Sequence, residues 1–311
     1  MPNISGLKWG ENFQGASGGL VTWSLAAGGL PGVAQAYLVD QGDLTVDADE
    51  VLTFAPRDAL REAFKVWSDA ADITFAEVAD DGASVGQGLG ADIRIYFGPI
   101  DGQGNGSTVG IAFFPPVTQD ALSGDILFDA ADVRFFSNRD SFLNTAIHEI
   151  GHSIGLDHIG GVRAVMNPVA TNLTRLLADD IEGITTVYGE PDDGPLSLSL
   201  VDGQTDLRLR QRIDNLTITG NELDNAIKGA GGSELIVGGA GDDQLRGAGG
   251  FDTLAGGAGD DVMAGGGRMD LAVITVGFDM IDVSQDGAFL VVEGEGADSL
   301  AASTELVSLD G

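Results

Sequence analysis

The sequence predicts two domains of different fold class, an α+β domain followed by an all-β parallel β-roll. In the first 190 residues, one segment has apolar residues at helical spacing and another alternates like a strand, whereas from Gly220 the chain repeats every nine residues. A length of 311 residues is enough for about two domains with their own cores. We place the first domain at 1–190, a linker at 191–215, and the roll with C-terminal capping strands at 216–311.

Two segments of the first domain show clear secondary-structure patterns. A helix is predicted after Pro56, which suits a first-turn position, and a half-buried strand is predicted at 91–97, where apolar and polar residues alternate. The apolar positions at helical spacing are Leu60, Ala63, Phe64, Trp67 and Ala71. Residues 16–39 carry no charge and end near an Ala-Gln-Ala sequence, like a signal peptide. Glycines and Pro31 interrupt this stretch, so we favour a strand and turn of the domain over a cleaved signal.

Composition excludes several classes of function. The formal net charge of -33 argues against nucleic acid or an anionic membrane as a partner. The absence of cysteine excludes disulfides, thiolate metal sites and a thiol nucleophile. No run of residues has the length and hydrophobicity of a transmembrane segment. We therefore expect a protein without a membrane span, and we expect a monomer.

All three histidines of the chain lie in one eleven-residue segment, 148–158. On a helix, residues four apart share a face, so His148 and His152 can bind one metal ion, with Glu149 beside them to handle a proton. Gly155 can take a positive φ and turn the chain so that His158 becomes a third ligand. Three nitrogen ligands leave a fourth position for water, which is typical of a catalytic zinc site. The alternative is a set of ordinary histidines on an amphipathic helix, which the complete pattern disfavours.

The pattern H-E-x-x-H-x-x-G-x-x-H followed by a methionine, here Met166, resembles the metzincin zinc peptidases. The short gap to Met166 and the nearby Pro168 resemble the matrixin branch, whereas Ile159 departs from it. Segments 63–75, 91–97 and 177–189 are similar to matrixin elements in the same order. The resemblance implies a twisted mixed sheet with an active-site helix, Met166 packed beneath the zinc ligands, and Glu149 as general base.

The same resemblance bears on substrate and ion binding. We expect a protein substrate to bind in an extended conformation along an edge strand within 109–114, at Gly110, Ile111 and Ala112. The 101–107 loop and the 124–129 stretch resemble the matrixin region that binds structural ions. This chain has no histidine there, so we predict no structural zinc. Calcium at Asp125 or Asp129 and a plain acidic loop both remain open, and we favour the acidic loop.

Six nine-residue units between Gly220 and Val273 follow G-G-x-G-x-D-x-U-x, the calcium-binding repeat of the RTX β-roll. Two units make one coil, so residues 18 apart should stack, and Ca²⁺ between the stacked carboxylates would relieve their repulsion. The eighth positions, predicted to point inward, are Ile227, Ile236, Leu245, Leu254, Met263 and Ala272. The sixth positions, predicted to bind calcium, are Asn225, Glu234, Asp243, Asp252, Asp261 and Asp270.

Departures from the repeat qualify this interpretation. Asn225 and Glu234 replace aspartate in the first coil, and Arg268 replaces a glycine in the last unit, so calcium sites there should be weaker. A flexible glycine-rich linker is the alternative, which periodic inward aliphatic residues argue against. After the repeats, 271–276 and 289–292 are predicted to form strands that cap the roll.

These features lead to one expectation for function. We expect a secreted zinc-dependent endopeptidase with one catalytic Zn²⁺ and several Ca²⁺ ions, which hydrolyses peptide bonds of extracellular proteins. RTX proteins typically leave bacteria through type I export machinery without a cleaved N-terminal signal, and low cytosolic calcium would keep the roll unfolded during passage. The alternative is a calcium-dependent surface or matrix-binding protein whose peptidase-like domain is inert.

Overall fold

The computed structural model describes residues 8–10, 14–28, 45–83, 91–100, 108–115, 123–136, 138–169, 172–192, 196–268 and 270–274, together with four strands beyond them. The chain divides into two compact units, Met1–Asp193 and Gly194–Gly311. Among these described parts, no helix combines the length and the apolar composition that crossing a membrane would need.

The N-terminal unit has a five-stranded mixed sheet with helices packed against it. Its strands are β1 (Gly19–Leu25), β2 (Ile73–Glu77), β3 (Ile93–Gly98), β4 (Gly110–Ala112) and β5 (Ile126–Asp129). Its α-helices are α1 (Ala48–Val51), α2 (Pro56–Ser68), α3 (Arg139–Ser153) and α4 (Ala178–Tyr188), with a 3₁₀ segment at Ala130–Phe136. The strand order is β2-β1-β3-β5-β4, in which β4 alone runs antiparallel to its neighbour and lies at the edge.

The segment that resembles a signal peptide contributes strand β1. It pairs in parallel with β2 on one side and with β3 on the other, as Trp23 opposite Ile93 shows. This confirms the strand predicted there, while residues 29–39 of that stretch lie outside the described residues. Because β1 lies inside the sheet and its Trp23 is completely buried, cleavage that removed this strand would disrupt the hydrophobic core.

Helix α2 forms where the sequence predicts it. Pro56 occupies the first turn, where its missing N–H costs no hydrogen bond. The predicted apolar residues are buried, and Phe64 stacks on Trp23 with ring centroids 4.7 Å apart. The helix thereby covers the sheet and supports α3, against which it packs.

Strand β3 differs from its prediction as a half-buried strand. All six residues are buried, because β1 and β5 flank the strand and both of its faces are covered. On the second face, Tyr96 packs with Ala26 and Leu127. The guanidinium of Arg94 lies on the same strand, and its Nε is 2.5 Å from Oδ2 of Asp80.

The C-terminal unit is a parallel β-roll of two sheets. The strands within its coils are β6 (Leu196–Ser199), β7 (Asp206–Arg208), β8 (Leu216–Thr219), β9 (Ala226–Lys228), β10 (Glu234–Ala240), β11 (Gln244–Gly249), β12 (Thr253–Ala258), β13 (Val262–Gly267) and β14 (Asp270–Ile274). Alternate strands enter alternate sheets, and residues 18 apart stack, as Ile236 on Leu254 and Leu245 on Met263. All six predicted inward residues are buried, which confirms the two-unit coil.

The roll begins earlier than the sequence predicts. Strands β6 and β7 lie inside the stretch 191–215 that we predicted to be a linker, and they pair in parallel with β8 and β9. Buried leucines at 200, 207 and 209 extend the roll interior into this stretch. Since the turns here lack the glycine pattern, pairing with the next coil fixes these strands.

The C-terminal strands are β15 (Asp282–Asp286), β16 (Phe289–Glu293), β17 (Ala297–Ala301) and β18 (Thr304–Ser308). Strands β15, β16 and β17 form an antiparallel ladder, while β17 and β18 pair in parallel with β13 and β14. The predicted strand at 289–292 is therefore present at the end of the sheet. The predicted strand at 271–276 forms part of the roll itself through β14.

Replacing Arg94 with methionine should destabilise the N-terminal unit by about 3 to 5 kcal/mol, because it leaves the carboxylate of Asp80 inside the protein without its cation. The Arg94 side chain is only 4% exposed and that of Asp80 11%. Urea unfolding followed by tryptophan fluorescence measures this unit alone, since all three tryptophans lie before residue 68. Lys65→Met is the matched control in the same unit, because its ion pair with Asp69 is exposed and should contribute at most about 1 kcal/mol. Equal, small effects of both substitutions would contradict the prediction.

Candidate metal and catalytic site

Helix α3 carries the first two predicted zinc ligands. Asn138 caps its N-terminus by accepting a hydrogen bond from the Ser141 backbone N–H at 2.9 Å. The helix then runs to Ser153 with its apolar side packed in the core, which leaves His148 and His152 one turn apart on a more open side. The site is therefore built on a rigid element.

The structure brings all three histidines to one point. The Nε2 atoms of His148, His152 and His158 lie 3.2 Å from one another in every pair. Ligands at about 2.0 to 2.1 Å from a tetrahedral zinc lie roughly 3.3 to 3.4 Å apart, so the observed spacing fits that ion. Within the described residues, these three histidines form a group of side chains whose ligand atoms lie close enough together to bind one metal ion.

Hydrogen bonds on the opposite ring nitrogens orient two of the imidazoles. Nδ1 of His148 lies 2.7 Å from the Val165 carbonyl, and Nδ1 of His152 lies 2.7 Å from the Leu156 carbonyl. Since a carbonyl only accepts, each Nδ1 carries the proton and each Nε2 presents its lone pair. Burial lowers the pKa of His148, and burial together with the neighbouring His148 lowers the pKa of His152 to about 4. Both shifts favour the neutral ring that a metal ligand must have.

Gly155 makes the turn that returns the chain to the site. Its φ is +101°, a left-handed conformation that favours glycine. Its N–H donates to the His152 carbonyl, and the Leu156 N–H donates to the Gly151 carbonyl. This confirms the turn predicted from the sequence, and it brings exposed His158 back against the two helical histidines.

Met166 packs against Gly151, on the helix turn between the predicted ligands His148 and His152. The side chain is fully buried, and a Cβ added to Gly151 would lie 2.3 Å from its sulfur. The turn that carries Met166 is held by Asp180, whose carboxylate accepts backbone N–H groups of Val165 and Met166. Sequence reasoning missed Asp180, although its place in the acidic first turn of α4 was a signal.

Glu149 lies beside the histidines with its carboxyl group under the edge strand. The residue is 7% exposed, and burial raises the pKa of its carboxyl group to about 8. A Cβ added to Gly110 would lie 3.0 Å from three of its side-chain atoms. Gly110, Ile111 and Ala112 form the half-buried β4, so the edge strand predicted to bind substrate passes directly over the predicted base.

The two acidic residues considered for calcium in this unit have protein partners. Oδ1 of Asp125 accepts the Arg94 backbone N–H at 2.9 Å, and Oδ1 of Asp129 accepts that of Ala131 at 2.8 Å. Burial raises the pKa of Asp125 to about 7. These contacts resemble those of a structural acidic turn, and the 101–107 loop lies outside the described residues.

The sixth-position residues of the repeats stack in two rows inside the turns of the roll. In one row, the N–H of Asp243 donates to Asp261; in the other, the N–H of Asp252 donates to Asp270. The second carboxylate oxygens of Asp243, Asp252 and Asp270 are buried without a hydrogen-bond partner among the residues that the structure describes. A Cβ added to Gly238 would meet both Oδ2 of Asp243 at 2.1 Å and the Gly256 carbonyl at 2.4 Å. Oxygens crowded together without a donor are the ligands that Ca²⁺ takes.

The first coil departs from this arrangement at Asn225. Its amide donates to Asn221 and its carbonyl oxygen accepts the Asn221 N–H, so its polar atoms are engaged within the protein. Glu234 occupies the other row, where both of its carboxylate oxygens are buried, and burial together with the neighbouring Asp252 raises the pKa of its carboxyl group to about 8. We therefore propose that the Glu234 row contributes a calcium ligand in the first coil and that the Asn225 row does not.

Three converging histidines, a glutamate on the same helix and a buried methionine packed against that helix are the arrangement expected of a zinc-peptidase site. The second unit has the rows of buried carboxylate oxygens expected of a calcium-binding roll. Residues 35–189 match the Matrixin profile of the M10 peptidases, and residues 217–245 and 237–267 match the RTX calcium-binding nonapeptide repeat. The N-terminal part of the chain belongs to the matrixin family, whose members bind a catalytic zinc, and the second part belongs to the RTX repeats, which bind calcium.

Curated relatives agree with this assignment. Matrix metalloproteinase-15 of Homo sapiens is 34% identical over 154 residues, 44% of this chain and 22% of that protein. Macrophage metalloelastase of Oryctolagus cuniculus is 32% identical over 140 residues, 43% of this chain and 29% of that protein. Matrix metalloproteinase-16 of Homo sapiens is 34% identical over 156 residues, 45% of this chain and 24% of that protein. The chain thus spans about a quarter of the length of these relatives.

Gly110→Ala should lower kcat for peptide hydrolysis roughly tenfold, because the added methyl group must displace the Glu149 carboxyl group or the edge strand by a few tenths of an ångström. Steady-state kinetics on a quenched fluorescent peptide measures the effect. The matched control is Gly231→Ala, where an added Cβ meets no atom within 4 Å. A Gly110→Ala protein with wild-type kcat would contradict the contact.

The calcium-free roll should gain stability as the pH falls. Burial first, and neighbouring carboxylates second, raise the pKa of Asp243 to about 6, and the pKa values of Asp261 and Asp270 are raised in the same direction. The folded roll therefore binds more protons than the unfolded chain, and the ionisation penalty grows as pH rises from about 4 towards about 6. Far-UV circular dichroism in excess chelator should show more β-structure at pH 5 than at pH 8. A pH-independent spectrum would refute this expectation, and a calcium-saturated sample is the control.

Proposed function

We propose that the protein is a zinc-dependent endopeptidase that hydrolyses peptide bonds of extracellular proteins. One observation carries this proposal. The three Nε2 atoms meet at 3.2 Å spacing, and the helix that carries two of them also carries Glu149, whose carboxyl group lies against Gly110 of an edge strand that can receive an extended peptide.

His148, His152 and His158 would hold the zinc ion through Nε2. When bound, zinc lowers the pKa of water to about 7 and polarises a carbonyl group. A bound zinc cation would oppose the effect of burial on the pKa of Glu149 and favour its ionised form. The Glu149 carboxylate would then accept the proton of the attacking water and deliver it to the nitrogen of the leaving amine. Its place next to the ligands, on the same helix but not among them, suits a group that moves a proton without binding the metal.

Strand β4 would bind the substrate. Among the described strands it lies at one edge of the sheet, with β5 hydrogen-bonded on its inner side. A peptide added as a further strand would gain backbone hydrogen bonds at Gly110, Ile111 and Ala112 with little dependence on its sequence. Phe114, just beyond the strand, packs edge-on against His152 with ring centroids 5.9 Å apart and so borders the same cleft.

The calcium requirement expected of the roll supports the proposal that the protein is secreted and acts outside the cell. Its buried carboxylate oxygens and clustered negative charge disfavour the folded roll in a calcium-poor cytosol and favour it where calcium is abundant. We therefore propose export in an unfolded state through type I machinery, followed by calcium-driven folding outside the cell. The substrates would then be extracellular proteins.

Glu149→Gln should abolish nearly all proteolysis while zinc content stays near one ion per chain, because it removes the base and spares the ligands. His152→Ala should lose zinc and activity together. Casein hydrolysis and metal analysis of the same preparations measure both quantities. A Glu149→Gln protein that cleaves casein at the wild-type rate would overturn the mechanism. A zinc-loaded wild-type protein that cleaves neither casein nor gelatin would favour the alternative, a calcium-dependent surface protein with an inert domain.

A further inference from the structure

A short N-terminal segment contacts the last turn of the active-site helix. The indole N–H of Trp9 donates to the Ser153 carbonyl at 2.9 Å, and the Trp9 backbone N–H donates to the Tyr188 hydroxyl at 3.1 Å. The Tyr188 hydroxyl in turn donates to the Ile154 carbonyl at 2.9 Å. Residues from the two ends of the N-terminal unit thus meet at the two carbonyls that directly follow His152.

These bonds complete the hydrogen bonding of a helix end. The last carbonyls of a helix have no donor within the helix itself. In α3, the turn satisfies the carbonyls of Gly151 and His152 through Leu156 and Gly155. The next two carbonyls, those of Ser153 and Ile154, accept hydrogen bonds from the side chains of Trp9 and Tyr188, which lie 144 and 34 residues away in the sequence. The end of the helix therefore depends on contacts that the helix cannot supply.

The turn held in this way also orients a zinc ligand. Residues 153–156 lead directly to the Leu156 carbonyl, which accepts the Nδ1 proton of His152 at 2.7 Å. A shift of the turn would move this acceptor and rotate the imidazole. Metal-ligating histidines depend on such partners for ring orientation and metal affinity.

Trp9 is itself held firmly in place. Its ring lies against the backbone of Gly124, where an added Cβ would be 2.5 Å from Cζ2. The preceding Lys8 is buried, donates to the Ala16 carbonyl at 2.6 Å, and lies over the Tyr188 ring at 4.9 Å. Tyr188 is fully buried, and burial raises its pKa well above the usual value, so the hydroxyl remains a donor.

We propose that Trp9 is a positioning residue for the zinc site, which acts together with Tyr188 through the turn that orients His152. Neither residue touches the ligands. Docking of the segment at residues 8–10 makes the helix end rigid, and its loss leaves the histidines present but loosely oriented. The inference deepens the proposed zinc peptidase function and rests on the same metal site.

The test compares Trp9→Phe with Trp23→Phe. Trp9→Phe keeps an aromatic ring and deletes the donor to Ser153. Trp23 is also buried, but within the described part of the chain its indole N–H has no hydrogen-bond partner, so Trp23→Phe loses packing without losing a described bond. Zinc retention against a chelating dye should weaken roughly twofold to tenfold in Trp9→Phe, the range for one lost hydrogen bond, and stay at the wild-type value in Trp23→Phe.

Two further measurements separate positioning from general stability. The visible absorption of the Co²⁺-substituted protein should change in Trp9→Phe and in Tyr188→Phe, because both alter the ligand geometry, and should be unchanged in Trp23→Phe. The kcat for peptide hydrolysis should fall in Trp9→Phe with KM nearly constant. The inference would be overturned if zinc retention and the Co²⁺ spectrum were identical to wild type in both Trp9→Phe and Tyr188→Phe. It would also be overturned if Trp23→Phe showed the same changes as Trp9→Phe. Metal retention that falls as expected in a protein without proteolytic activity would refute the proposed function alone.

Discussion

The N-terminal unit is arranged to hold the Nε2 atoms of three imidazoles at one point, and much of its structure depends on that constraint. Two imidazoles come from a helix that α2 and the sheet hold in place, and backbone carbonyls at Val165 and Leu156 fix their rings. Each carbonyl belongs to a turn that needs its own support. Asp180 holds the first turn from α4, and Trp9 and Tyr188 hold the second. The metal site is thus the centre of a set of contacts that reaches most elements of the unit.

Short-range patterns in the sequence predicted the chemistry because the chemistry is local in the chain. The histidines and Glu149 lie within eleven residues, so helical geometry and one positive-φ glycine are enough to bring them together. The nine-residue period likewise fixed the inward residues of the roll, since each coil repeats the same geometry. Both predictions needed no knowledge of the tertiary structure.

What escaped prediction depends on partners far along the chain. The indole of Trp9 bonds to a carbonyl 144 residues away, and no local pattern marks that pair. Strand β3 alternates in sequence but is covered on both faces, because the main core packs on one face and Ala26 and Leu127 pack around Tyr96 on the other. The roll starts at Leu196 without glycine-rich turns, since pairing with the following coil is enough to order it. Spacing rules cannot detect any of these contacts, which arise only when the elements pack.

The repeat geometry of the roll also limits how its length can change over evolution. Successive strands alternate between two sheets, and a residue stacks on the residue 18 positions later, as Leu235 on Thr253. A gain or loss of 18 residues adds or removes one whole coil and leaves every other strand in its sheet. A gain or loss of nine residues would place all following strands in the opposite sheet. The later members of the Glu234 row would then stack on the Asn225 row. Roll length in such proteins should therefore drift in whole coils, with each step adding or removing one rung in both carboxylate rows.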